Sequence, residues 1–449
     1  MSNPRGEFSS RFGFLMAATG SAVGLGNIWG FPTNAASNGG GAFLVAYLVL
    51  AFVLAYPALM AELIIGRHAK ANAVSALSGV AANSGTARIG ATVGVVGMIT
   101  VTLILSFYAI VSGWMLSFMS ASISDLVRFD SLSDWLTTGS TSRDSLFTLL
   151  FYFLTISVVV AGVKNGIEKW ASRLMPSLYL LLIILIVYVL TLDGALEGVR
   201  MYLVPDFARI ADPGLLLGAM GQAFFSLSLG VGTMLIYGSY VSKRENLPAL
   251  GGMVTLLDIS VAVLAGMLIL PAMSVAAFNG IEIYDEQGGL VAGPALIVSV
   301  LPALFERMGD AGILVSLAFF TLMVIACLTS SISMLEVPVS YVVEQHGASR
   351  KKASVALGLL AALISLVIVF NFDLLFGFVV SLTTEYSQPL LGFFIAIFVG
   401  WIWRRDQLLE EVQQGNPDCE NTLFWRIWPW YIRFVCPVII VAVYVQMIL

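Results

Sequence analysis

Apolar residues run through this chain in long blocks. They do not alternate as in a half-buried strand, nor form the single stripe of a surface helix. Eleven blocks stand out, roughly at 11–36, 41–67, 90–122, 146–163, 168–191, 214–241, 248–277, 310–344, 353–370, 374–403 and 431–448. A helix crossing a bilayer needs about 20 apolar residues. An open strand in hydrocarbon would leave backbone groups unpaired, which selects helices. The pattern predicts an all-α integral membrane protein with eleven transmembrane helices in a single domain, 1–449. Residues 11–23 superficially resemble a secretory leader. Gly20, Gly24 and Gly26 interrupt that run, and it reads instead as the first span.

Lys and Arg set the expected orientation. With the N-terminus inside, seventeen of the 22 basic residues fall on the cytoplasmic side. Arg128, Arg143, Arg200, Arg209 and Arg307 fall outside, and the C-terminus ends outside. A missed or extra helix would invert every later loop, so the asymmetry also supports the count. The sequence therefore predicts a multi-pass protein of the cell (plasma) membrane. Composition agrees: 59% of residues are hydrophobic and 11% charged, against about 25% charged in a soluble domain. No basic patch points to nucleic acid, and Cys327, Cys419 and Cys436 match no metal spacing. Neither a nucleotide loop nor a nucleophile triad is present, so no enzyme is expected.

Two blocks are unusual. The first holds Gly20-Ser21-Ala22-Val23-Gly24-Leu25-Gly26-Asn27, and the sixth holds Gly221 to Gly232 with Ser226 and Ser228. Glycine costs about 1 kcal/mol relative to Ala inside a helix, so several together favour local unwinding. Close packing through small residues is the plainer alternative. Blocks 1–5 (11–191) and 6–10 (214–403) would form two inverted repeats, with 431–448 as an extra helix. Interrupted helices at matching places of two repeats point to a transporter binding site.

At these residues the chain resembles the neurotransmitter:sodium symporter family. The match comprises Ala22 to Pro32, Asn38-Gly39-Gly40-Gly41-Ala42-Phe43, Pro57, Glu62, Gly66-Arg67, Gln222 to Gly230, and Leu328-Thr329-Ser330-Ser331-Ile332. Eleven helices are similar to the bacterial branch that lacks a twelfth. The resemblance implies sodium-coupled symport of a small amino acid by alternating access. It implies a first sodium site at the Ala22 carbonyl, Asn27, Ser226 and Asp258. A second would be made of the Gly20, Val23 and Ala326 carbonyls with the Thr329 and Ser330 hydroxyls. Oxygen donors suit a hard cation. Asp258 lies mid-segment, where a carboxylate is a functional candidate; a protonated structural Asp is the alternative. Chloride-requiring relatives place Ser where this chain has Ala262, so chloride is not expected to be required.

The substrate is expected between the two breaks. Leu25 and Gly26 N–H groups and the Tyr108 hydroxyl would face its carboxylate, as a helix N-terminus favours an anion. The Ala22 and Phe225 carbonyls, with Ser228 nearby, would face its amine. Ser21, Ile104, Tyr108, Phe225, Val231, Ser330 and Met334 would surround its side chain, and Ser226 also belongs to the substrate site. Gly24 stands where amine carriers of the family have Asp, which implies a substrate bringing its own carboxylate. Together these imply a neutral, medium-to-large apolar amino acid. Taurine, a betaine or GABA, or a sensor without transport, remain as alternatives. The inner gate is expected from Arg5 facing Glu344, with Phe8, Ser239 and Tyr240. The outer salt bridge of the family is in doubt, because Gly30 replaces its Arg and the nearest acid of the tenth segment is taken as Asp373. The residues leave the oligomeric state open.

Overall fold

The structure is a computed structural model, and it describes residues 6–210, 212–284, 291 and 295–448. Among these, nine helices are long and apolar enough to cross a membrane: Gly41–Ala69, Ser84–Leu126, Thr141–Val160, Val163–Val189, Leu247–Phe278, Asp310–His346, Arg350–Phe370, Phe372–Ile402 and Leu423–Ala442. A further span is bent, with Arg11–Ala22 and Gly26–Ser37 meeting at 59°. Pro213–Ser226 and Thr233–Ser239, separated by residues 227–232, occupy the sixth block. The described residues form no strand, only an isolated bridge between Gly40 and Pro205. The all-α membrane fold is present, and the helix count is compatible with eleven. The last span starts at Leu423 rather than 431. Thr422 caps it by accepting from the Trp425 N–H, and Pro429 lies within it.

Both glycine-rich stretches leave the helical path, and their freed backbone groups find partners, as buried ones must. At the first break, the Ser330 hydroxyl donates to the carbonyls of Gly20 (3.2 Å) and Val23 (2.7 Å). The Leu25 N–H donates to the Tyr108 hydroxyl at 3.3 Å, and the Gln222 amide donates to the Gly26 carbonyl at 2.8 Å. At the second, Ser228 takes φ 51°, and Gly230 and Gly232 take φ 88° and 82°. This is the left-handed region that non-glycine residues seldom enter. Gly230 is also held by contact, since a Cβ there would overlap the Gln388 carbonyl.

Glu62 bridges the second break. Its carboxylate accepts from the Gly230 N–H (2.7 Å) and the Leu235 N–H (3.2 Å). It thereby satisfies donors that a continuous helix would have paired internally. The same helix, Gly41–Ala69, touches Thr233–Ser239 backbone to backbone: a Cβ on Gly66 would overlap the Leu235 carbonyl. On the other side the two longest helices, Ser84–Leu126 and Asp310–His346, pack together along their lengths and present Tyr108, Thr329 and Ser330 to the first break.

Candidate functional site

The two breaks line one cavity of about 30 Å³. A single water needs roughly 10–15 Å³ by the same measure, so the cavity is nearly collapsed onto its lining. Eleven of the twelve expected substrate residues border it: Ala22, Leu25, Gly26, Ile104, Tyr108, Phe225, Ser226, Ser228, Val231, Ser330 and Met334. Ser21 does not. Its hydroxyl donates to Ser333 at 2.7 Å, and its carbonyl accepts from Ser228. Gly24 leaves no room for a side chain, because a Cβ there would come 2.7 Å from the Tyr108 hydroxyl and 3.0 Å from that of Ser330. Asn27, Val101 and Gln388 complete the lining, and of these Val101 and Gln388 were missed in the sequence. For Gln388 the only signal was an amide inside an apolar block, just before Pro389.

A larger cavity of about 520 Å³ lies on the side of the second half of the first span, lined in part by Trp29, Gly30 and Asn34. Gly26, Phe225 and Gln388 border both spaces and form the wall between them. Phe225 closes against Gly26, where a Cβ would come within 2.8 Å of the ring. Gln222, held by Asn34 at 3.1 Å and by the Gly26 carbonyl, stands beside Gly30. The acid facing this vestibule is Glu385, not Asp373. Asp373 is exposed near the end of the tenth span. Residues Ser381–Ser387 wind as a π-helix, which shifts the register counted from the sequence. Phe376 stacks on Phe372 at 4.6 Å.

Asn27, Ser226 and Asp258 converge beside the pocket. The Asp258 carboxylate accepts from Asn27 Nδ2 and from Ser226 Oγ, each at 2.7 Å, and Asn27 Nδ2 also reaches Ser226 Oγ at 2.9 Å. Asn27 Oδ1 accepts from the Gly24 N–H. Asp258 is 1% exposed, and no Lys, Arg or His among the described residues pairs with it. Ala262, one turn on, is fully buried.

The second expected cluster also assembles. Ser330 holds the Gly20 and Val23 carbonyls, and the Thr329 hydroxyl donates to the carbonyls of Ile325 and Ala326, each at 3.1 Å. Thr329 lies against Gly20, where a Cβ would come within 2.9 Å of it. The five expected oxygens thus border one edge between the first break and Asp310–His346.

At the N-terminal end of the bundle, Phe8 meets Phe14, Tyr237 and Tyr240 edge-on, and its N–H donates to the Tyr240 carbonyl. Ser239 is buried nearby, and Glu344 accepts from Asn72 at 2.7 Å. Arg5 lies outside the described residues. Two further acids act here that the sequence did not place. Glu336 accepts from Tyr240 at 2.6 Å and pairs with Arg350. Glu168 accepts from the Ser9 N–H and from the Ser9 and Ser10 hydroxyls, pinning the N-terminal segment to the fifth span.

Comparison with known proteins places this geometry. The model of the sodium:neurotransmitter symporter family matches residues 5–145 and 137–449. The chain belongs to that family. It is a sodium-dependent membrane transporter, not an enzyme. It is 35% identical over 460 residues to an uncharacterized sodium-dependent transporter, YhdH, of Bacillus subtilis, covering 98% of this chain and 97% of the relative. It is 25% identical to a sodium-dependent nutrient amino acid transporter 1 of Drosophila pseudoobscura pseudoobscura, covering 96% of this chain and 73% of that one. Among solved structures, MhsT in complex with L-phenylalanine superposes with a TM-score of 0.84 at 35% identity, covering 99% of this chain and 100% of the other.

Proposed function

We propose that this transporter carries a neutral, medium-to-large apolar amino acid into the cell together with sodium, by alternating access across the cytoplasmic membrane. The observation that carries the reading is the buried Asp258 carboxylate, which has hydrogen-bond donors beside it and, among the described residues, no protein cation. A charge at that depth is expensive unless a counter-charge joins it. A sodium ion held by Asp258, Asn27, Ser226 and the Ala22 carbonyl supplies that charge. The Asn27 amide then turns by half a rotation to present its oxygen. A second ion sits among the Gly20, Val23, Ala326, Thr329 and Ser330 oxygens, with both hydroxyls turning their protons away.

The zwitterion lies between the breaks. Its carboxylate meets the Leu25 and Gly26 N–H groups, the Tyr108 hydroxyl and the first ion; its ammonium meets the Ala22 and Phe225 carbonyls. Ile104, Val231 and Met334 take an apolar side chain, and flexible Met334 adapts to its size. The phenylalanine bound in MhsT and the amino acids named for the insect relatives agree with this substrate class. Gly24 favours an amino acid over an amine without a carboxylate, and the buried carboxylate of Asp258 makes chloride unnecessary.

The 520 Å³ vestibule faces the outside and Phe225 is its door, while Phe8 and Tyr240 seal the cytoplasmic end. The matching breaks in the first and sixth spans fit two inverted repeats, 11–191 and 214–403. Energetically, each charge crossing about 100 mV yields about 2.3 kcal/mol, so two ions support roughly three decades of accumulation. A thermal-stability screen of the purified protein tests the reading, since a ligand of the folded state raises its apparent stability. Apolar amino acids should raise the melting temperature in sodium and not in potassium. An equal response in both salts, or a response to amines alone, would overturn it.

A further inference from the structure

Where Phe372–Ile402 ends and Leu423–Ala442 begins, a pocket of about 150 Å³ opens far from the transport site. Its lining includes Trp401, Trp403, Arg405, Trp430 and Arg433, and no carboxylate. Gly400 lets the two helices close here, since a Cβ would come 2.7 Å from the Arg433 backbone. Trp401 Nε1 donates to the Arg433 carbonyl at 2.8 Å, and the Arg433 guanidinium lies 4.2 Å from the centre of the Trp401 ring. Arg405 sits 5.9 Å over Trp425. These stacked contacts orient both guanidinium groups without neutralising them. Among the described residues neither has a carboxylate partner, whereas neighbouring Arg404 pairs with Asp406. Trp403 is 4% exposed, and its Nε1–H has no hydrogen-bond acceptor in the protein. Donors are in surplus and acceptors are missing, which is the signature of an anion site.

The surroundings say which anion. The pocket lies at a helix end of the membrane bundle, on the face where Lys and Arg are in excess. From it an exposed apolar ridge climbs the last span through Ile427, Trp430, Phe434, Val438 and Val441, at helical spacing of three and four. We propose that this pocket binds the phosphate headgroup of an anionic phospholipid, with an acyl chain lying along that ridge. Basic pockets between helices on the cytoplasmic side suit such headgroups, and exposed Trp401 and Trp430 suit the interface depth. The guanidinium groups of Arg405 and Arg433 contact the phosphate oxygens.

The test titrates the purified full-length protein with phosphatidylglycerol or phosphatidylcholine in mixed micelles, and counts retained lipids by native mass spectrometry. Wild type should prefer phosphatidylglycerol. At about 1 kcal/mol per basic side chain near the surface, the Arg405→Gln/Arg433→Gln pair should weaken that binding about thirtyfold. Binding of phosphatidylcholine should not change. Lys351→Gln, a distant cytoplasmic charge, should leave phosphatidylglycerol binding unchanged. Equal affinity of wild type for both lipids would overturn the proposal without recourse to any variant. So would retained preference in the arginine pair, an equal loss in Lys351→Gln, or competition by inorganic phosphate as strong as that by the lipid.

Discussion

The Asp258→Asn substitution removes one charge and keeps the shape. The new side-chain amide can still accept from Asn27 Nδ2 through its oxygen, and Ser226 can rotate its hydroxyl to accept from its nitrogen, so both 2.7 Å contacts survive. The fold should therefore persist, and the loss should fall on sodium. A unit charge about 4 Å from a cation is worth about 4 kcal/mol at an effective dielectric of 20. Part of that is already spent in the ion-free state, where two charge-assisted hydrogen bonds satisfy the carboxylate. Halving the figure leaves about 2 kcal/mol, so the sodium half-saturation should rise about thirtyfold, and about a thousandfold would be the ceiling set by the full 4 kcal/mol. The assay is binding of a radiolabelled apolar amino acid against sodium concentration, with choline keeping ionic strength constant. A half-saturation within about twofold of wild type would refute the assignment of Asp258 to an ion.

Ser330→Ala removes the hydroxyl that joins the Gly20 and Val23 carbonyls and should raise the sodium half-saturation by about tenfold or more. Ser331→Ala, whose hydroxyl donates to the Cys327 carbonyl of its own helix, should leave it unchanged in the same titration. Gly66→Ala forces a methyl against the Leu235 carbonyl and should destabilise the protein by about 3 kcal/mol, the upper end for overpacking, read as a lowered melting temperature in detergent. At the end of the bundle that holds the N-terminal segment, burial pushes the Glu411 carboxyl up, but the His68 hydrogen bond and the Arg67 charge outweigh it and hold its pKa below the ordinary value. A depressed pKa contributes stability above about pH 4.3 that is lost as pH falls through the folded value. Wild type should therefore lose melting temperature between about pH 5 and 3 more steeply than Glu411→Gln, which starts lower at pH 7.

Much of this fold is legible because lipid imposes a coarse rule: long apolar blocks become helices. The two breaks are legible because glycines and serines interrupt those blocks, and the residues that serve them sit in recognisable text. What the chain hides is register. Glu385 and Gln388 border the vestibule because a π-helical stretch turns the tenth span, and no periodicity count foresees that. Glu336 and Glu168 read as stray acids within or beside apolar runs. Their partners, Arg350 and Tyr240 in one case and Ser9 and Ser10 in the other, come from elements that only the folded chain brings near. Ser21 shows the converse: its position in the glycine-rich text suggests the pocket, yet the helix turns its hydroxyl to Ser333.

Uptake into proteoliposomes puts the whole scheme at risk at once. Vesicles holding the purified protein should accumulate a labelled apolar amino acid above its external concentration when sodium is high outside and low inside. Abolishing the gradient, or substituting potassium, should end accumulation, and a negative interior should increase it. Accumulation that ignores the sodium gradient, or none for any amino acid while sodium-dependent binding persists, would contradict sodium-driven symport through the paired breaks.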